Sequence, residues 1–122
     1  HLGQDDQAAK DARECLGAEP LVGLSTHDAT QVVRAEEEPV DYLGFGPVHA
    51  TTTKGYERGL GAEIAWVASE AAGFPVFAIG GIDGSNVHSL AEVGRIAVGS
   101  AILAAPDPAD AARELRSLLA AE

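Results

Sequence analysis

Thr51, Thr53 and Lys54 place two hydroxyls and an ammonium in one tetrad, Thr51-Thr52-Thr53-Lys54, and all three groups donate hydrogen bonds to phosphate oxygens. The plainer meaning of such a stretch is an exposed polar loop. Gly80-Gly81 and Gly99-Ser100 each end a short apolar run. Lacking a Cβ, glycine lets backbone N–H groups approach an anion, and a helix start beyond it adds a favourable dipole. Singly, such a glycine does no more than make a tight turn. Two pairs after consecutive runs favour a phosphate. Asp5 and Asp6 stand side by side after His1-Leu2-Gly3-Gln4. Carboxylates at a strand end hold Mg2+, which keeps several waters and meets substrate phosphates. Capping the next helix is the competing role, preferred for Asp5. Adjacent carboxylates in such a turn diverge, so one of the two is the expected ligand.

The remaining reactive side chains form no second constellation. His1, His27, His49 and His88 have no pairwise spacing of a metal site. His27 and His49 fall near the phosphate-type residues, and His88 falls on the surface of an expected helix. Cys15 reads as a small core residue and Trp66 as a packing residue of a helix. No Ser-His-Asp or Cys-His arrangement stands out.

The elements that must position these groups alternate. Ala-rich residues 8–16, ending at Gly17, read as a helix with a glycine stop. Residues 20–24 (PLVGL), 40–45 (VDYLGF), 75–79 (PVFAI) and 95–98 (RIAV) are near-continuous apolar runs, the pattern of covered parallel strands. Helices are expected over 29–37 behind Asp28 as N-cap, over 62–72 up to Gly73, from Ser85 or Asn86 through Val93, and from about Pro108 to the end. Residues 46–61 read as a long loop, and Glu36, Glu37 and Glu38 as a solvated helix end. A first helix and four strand–helix repeats give an α/β fold with a parallel sheet and right-handed crossovers. Every polar or glycine-rich cluster then falls after a strand, on one rim, where parallel α/β folds bind ligands. In barrels of this class the loops after strands seven and eight form a phosphate site.

Composition narrows the function classes. Eight Lys and Arg against 19 Asp and Glu give a net charge of −11, which disfavours nucleic acid as a partner. A hydrophobic share of 46% supports a packed core rather than disorder. No apolar run approaches the roughly 20 residues of a membrane span. No targeting segment is visible. One cysteine allows no internal disulfide, so a cytoplasmic, reducing setting is expected.

Taken in order, the motifs carry a resemblance. His1-Leu2-Gly3-Gln4-Asp5-Asp6, Gly23-Leu24-Ser25-Thr26-His27, Gly44-Phe45-Gly46-Pro47-Val48 through Thr51-Thr52-Thr53-Lys54, Ala78-Ile79-Gly80-Gly81-Ile82 and Val98-Gly99-Ser100-Ala101-Ile102 resemble the second half of the thiamine-phosphate synthase family over essentially the whole chain. The resemblance implies a (β/α)8 TIM barrel. It also implies a transferase that joins hydroxymethylpyrimidine diphosphate to a thiazole phosphate and releases diphosphate. By motif, Asp6 matches a Mg2+ ligand. Ser25 and Lys54 match diphosphate and pyrimidine-side contacts and are the expected catalytic pair. Thr51, Thr53, Gly81, Gly99 and Ser100 match the thiazole-phosphate site. In the family the pyrimidine leaves as a carbocation, so the protein mainly positions the partners, shields the cation and stabilises the departing charge. The chain departs from the family's usual pattern in three places. His49 and Ala50 stand for an aromatic and a proline, Gly99 stands for a larger apolar residue, and Val93-Gly94-Arg95-Ile96 is a shortened connection.

A (β/α)8 barrel takes about 250 residues and rarely fewer than 200. Residues 1–122 are therefore expected to be the C-terminal part of one TIM-barrel domain: strands five to eight with their helices. The resemblance places a first Mg2+ carboxylate and an Arg- and Lys-bearing strand upstream of His1, and the chain alone is expected to be inactive. Two alternatives stay open. Thiazole tautomerases share the barrel and phosphate loops, but carry a His where Pro47 stands and tend to lack the Thr-x-Thr-Lys tetrad. A non-catalytic phosphate-binding half-barrel would expose two sheet edges, and would pair with itself or with a complementing N-terminal half.

Overall fold

The computed structural model describes residues 1–50 and 59–121. Four strands, β1 (Gly23–Thr26), β2 (Tyr42–Phe45), β3 (Val76–Ile79) and β4 (Ile96–Ala97), form one parallel sheet in the order β1-β2-β3-β4. Helix α1 (Ala9–Leu16) precedes the sheet, and α2 (Ala29–Ala35) and α3 (Ala62–Ala71) are the first two crossovers. A 3-10 turn, Val87–Leu90, leads into β4, and α4 (Ser100–Leu103) and α5 (Pro108–Ala120) follow it. The expected α/β alternation is therefore present among the described residues.

Local chemistry sets these boundaries. Asp28 caps α2 by accepting the Gln31 N–H at 2.8 Å. Asp107 caps α5 in the same way, with Pro108 in its first turn. Gly17 ends α1 at φ 85, a conformation that costs glycine little. Beyond Ile82 the sequence folds differently from the expected helix. Asp83 accepts from the Ser85 N–H and hydroxyl, and Asn86 Oδ1 accepts from the Asp83 N–H. These side-chain bonds compete with helical ones, and only the turn Val87–Leu90 forms.

Paired residues of neighbouring parallel strands point to the same face, which divides the sheet cleanly. Leu43, Phe45, Val76 and Ala78 are fully buried on one face beneath Val32, Ala35, Ala65, Ala68, Val87 and Leu90. Burying each large side chain there contributes about 1.5–3 kcal/mol. The other face carries Ser25, Tyr42, Gly44, Phe77 and Ile79. No described helix covers it, and Ile79 is 42% exposed.

Two packing expectations are corrected. Cys15 is exposed, not a core residue, because α1 buries only Ala9 and Ala12 and its last turn stands clear. Trp66 is 38% exposed, since Ala65 and Ala68 provide the packing face of α3. His88 is exposed, and so are Glu36, Glu37 and Glu38.

At the N-terminal end of the strands Arg13 acts as a clasp. Its guanidinium donates to the carbonyls of Pro20 (2.6 Å) and Pro39 (3.1 Å) and to Asp41 Oδ2 (2.7 Å). The same oxygen accepts the Val22 N–H at 2.7 Å. The Val22 N–H and then Arg13 hold the Asp41 carboxyl below the usual carboxylate range.

Candidate functional site

A cleft of about 490 Å³ opens at the C-terminal ends of all four strands. Each strand end sends residues into it: Ser25 and His27 from β1, Gly46 and Pro47 from β2, Gly80 and Gly81 from β3, Gly99 and Ser100 from β4. Ile79, Val98 and Leu103 give it an apolar side.

Glycines allow the loops after β2 and β3 to interlock above the sheet. Val48 N–H donates to the Ile79 carbonyl at 2.9 Å, and His49 N–H to the Gly80 carbonyl at 3.1 Å, so pairing continues past the strands. Gly46 lies so close to the Ile79 carbonyl that a Cβ there would run into it. Gly81 has φ 64, and a Cβ on it would sit 2.5 Å from the Ala50 carbonyl oxygen. Gly99 is different, because a Cβ there would meet nothing within 4 Å. The larger residue usual at that position in the family would find room. The helix that opens at Ser100 is a single turn.

Four of the expected site residues, Ser25, Gly81, Gly99 and Ser100, are thus brought together. Thr51, Thr53 and Lys54 lie outside the described residues. Asp6 does not line the cleft. It sits in an exposed turn, and its Oδ2 accepts the Gly3 N–H at 2.7 Å. That turn is tied to the rim, because Leu2 bridges to Leu24 and Gln4 Nε2 donates to the Ser25 carbonyl at 2.7 Å. Asp5 makes no helix cap, since Ala8 occupies the N-cap of α1 with no side-chain bond. Among the described residues no group of three or more His, Cys, Asp or Glu side chains gathers into a metal cage. Asp6 is a single carboxylate outside the cleft, so Mg2+ held through it would take its other oxygens from waters and a ligand phosphate.

Several site features escape a reading by motif. Thr26 is fully buried, its hydroxyl donating to the Gly44 carbonyl at 2.9 Å. His27 Nδ1 stands 2.6 Å from the Gly46 carbonyl, so that nitrogen carries the proton. His49 Nε2 is buried without a hydrogen-bond partner among the described residues. Ser85 and Asn86 hold Asp83, just beyond Gly81, below the usual carboxylate range. His1 reaches Ser25 across the sheet, its Nε2 2.8 Å from Ser25 Oγ. No motif signals that last contact, which forms where Ser25 pairs with Gly44 beneath the His1 ring.

Known proteins are similar to this chain in sequence and in fold. The chain is 47% identical over 123 residues to a thiamine-phosphate synthase of Synechococcus sp. (strain WH7803), an alignment covering 98% of the chain and 34% of the relative. It is 49% identical over 123 residues to a thiamine-phosphate synthase of Mycobacterium sp. (strain KMS), covering 98% of the chain and 54% of the relative. The structure of a thiamine phosphate pyrophosphorylase from Pyrococcus furiosus superposes with a TM-score of 0.84 at 33% identity, covering 97% of this chain and 57% of that one. The chain therefore spans between about a third and a half of the length of these curated relatives. The pattern of the thiamine monophosphate synthase family matches residues 1–102, and the chain belongs to that family.

Proposed function

We propose that residues 1–122 are the C-terminal part of one TIM-barrel domain. On this reading they carry the thiazole-phosphate side of a cytoplasmic thiamine-phosphate synthase, a transferase that joins hydroxymethylpyrimidine diphosphate to thiazole phosphate and releases diphosphate. The observation that carries this reading is the cleft itself, where Ser25, Gly81, Gly99 and Ser100 converge from three strand ends. In it, the backbone N–H groups at Gly81 and Gly99 and the Ser100 hydroxyl receive the thiazole phosphate, joined by Thr51 and Thr53. Ser25, which lines the cleft, is a contact to the diphosphate of the second substrate, and by motif Lys54 is another. Ile79, Val98 and Leu103 give the reacting carbon an apolar wall, which a covering half-barrel would close to water as a cationic pyrimidine requires. Pro47 offers no proton acceptor at the position where a tautomerase carries its His, which favours the synthase.

Asp6 is the residue that would hold Mg2+, sharing it with diphosphate oxygens. When bound, Mg2+ neutralises the charge that develops on the leaving diphosphate. The uncovered sheet face and both sheet edges are where an N-terminal half-barrel or a second copy of the chain would pack. No helix among the described residues is long and apolar enough to cross a membrane.

The test is thiamine phosphate formation from the two substrates with Mg2+, assayed for the chain alone and for the chain joined to the N-terminal half of a curated relative. The expected result is no product from the chain alone and product from the joined protein. Isomerised thiazole without thiamine phosphate from the joined protein would overturn the reading.

A further inference from the structure

On the uncovered face of the sheet, side chains from three segments meet. His1 Nε2 lies 2.8 Å from Ser25 Oγ, and His1 Nδ1 lies 3.1 Å from the Tyr42 hydroxyl. One glycine makes the room. Gly23 pairs with Tyr42 in the sheet register, and a Cβ on Gly23 would run into the Tyr42 ring. The ring therefore lies across β1, which brings its hydroxyl to His1. Gly44 pairs with Ser25 and leaves the His1 ring at ordinary contact distance, 3.4 Å from where a Cβ would stand. Phe77 braces the far side of Tyr42 edge-on, with ring centroids 5.6 Å apart.

The order of protons along this chain has a consequence for the cleft. A neutral imidazole has one donor and one acceptor nitrogen, and each hydroxyl both donates and accepts. If Nε2 accepts, the Ser25 proton is used on the ring, and Ser25 offers the cleft only lone pairs. If Nε2 donates, Ser25 accepts from His1, and its own proton is free for the cleft it lines. Nδ1 is then the acceptor, and the Tyr42 O–H donates to it. Only the second order suits an anion, and it requires no group to ionise.

We propose that Tyr42, His1 and Ser25 form a directional hydrogen-bond relay. It runs from Tyr42 O–H to Nδ1 and from Nε2–H to Ser25 Oγ, and it turns the Ser25 hydroxyl proton toward a diphosphate-bearing ligand. His1 is a positioning residue that acts through Ser25. This rests on the reading of Ser25 as a diphosphate contact.

The test uses the 122-residue chain, inorganic diphosphate with Mg2+ as the probe, and imidazole 15N NMR together with affinity. With diphosphate bound, the His1 proton sits on Nε2, and Tyr42→Phe lets the proton spread to Nδ1. Ser25→Ala and His1→Ala each weaken diphosphate binding by about tenfold or more, the scale of one hydrogen bond to a charged group. Because they remove one relay, the double variant is no weaker than either single one. His1→Gln, whose amide nitrogen reaches the place of Nε2, restores most of the affinity, whereas His1→Asn does not. A proton found on Nδ1, or His1→Ala binding within about twofold of wild type while Ser25→Ala is impaired, overturns the relay and leaves the Ser25 contact standing. Unchanged binding in Ser25→Ala, or no binding by the wild-type chain, overturns both.

Discussion

Val48 N–H donates to the Ile79 carbonyl oxygen at 2.9 Å, so the loops after β2 and β3 remain paired beyond the ends of their strands. The rim is thereby built as one backbone surface rather than as separate loops. Gly46, Gly80 and Gly81 are the residues that let the two chains approach this closely.

Gly81→Ala and Gly99→Ala are expected to separate sharply. At φ 64 an alanine costs roughly 1–2 kcal/mol in backbone strain alone. Its Cβ would also press on the Ala50 carbonyl and open the rim. Gly81→Ala should lower thiazole-phosphate affinity by about tenfold or more, the loss of about 1.4 kcal/mol. Gly99→Ala meets no atom within 4 Å and should keep the wild-type fold and melting temperature. Calorimetric titration and thermal melts of both variants check this.

Thr26→Val replaces a buried hydroxyl that donates to the Gly44 carbonyl at 2.9 Å. The side-chain shape is kept and one acceptor is left short of its partner, so the expected loss is about 1 kcal/mol. Urea denaturation of the two proteins measures it.

Asp41 supplies a pH signature. Its carboxyl lies below the ordinary value of 3.8 in the folded chain because it accepts from Val22 N–H and Arg13. A depressed folded value means the contribution is present above the unfolded value and is lost as pH falls through the folded one. Asp41→Asn should therefore lower stability at neutral pH and flatten the decline in acid. Denaturation midpoints taken from about pH 7 down to about pH 3 report both effects.

Asp6→Asn separates metal binding from folding. The amide oxygen can still accept the Gly3 N–H, so the turn survives, but the charge that Mg2+ needs is gone. The expected result is an unchanged melting temperature and weaker Mg2+ uptake in the presence of inorganic diphosphate. Calorimetric titration of Mg2+ into each protein with diphosphate present provides the check.

The architecture was legible in the sequence wherever one residue type decides the local backbone. Gly17, Asp28 and Pro108 mark the ends of α1, α2 and α5, and the apolar runs place the strands to within a few residues. Propensity failed after Ile82, where Asp83, Ser85 and Asn86 bond to one another instead of starting a helix. Burial failed at Cys15 and Trp66, because hydrophobicity does not tell which side of a short helix meets the core. Motif order located Ser25, Gly81, Gly99 and Ser100 at one rim. It had no means of finding His1 and Tyr42, which stand 41 residues apart and meet only because Gly23 leaves room for the ring.

Thiazole phosphate is the proposed occupant of the cleft at the strand ends. Titration of 15N-labelled chain with thiazole phosphate, read by amide shifts, checks this. The largest shifts are predicted at Gly81, Gly99 and Ser100. Shifts centred instead on the separate groove of about 350 Å³ beside Trp66 and His88, or no shifts at the rim glycines, would contradict it.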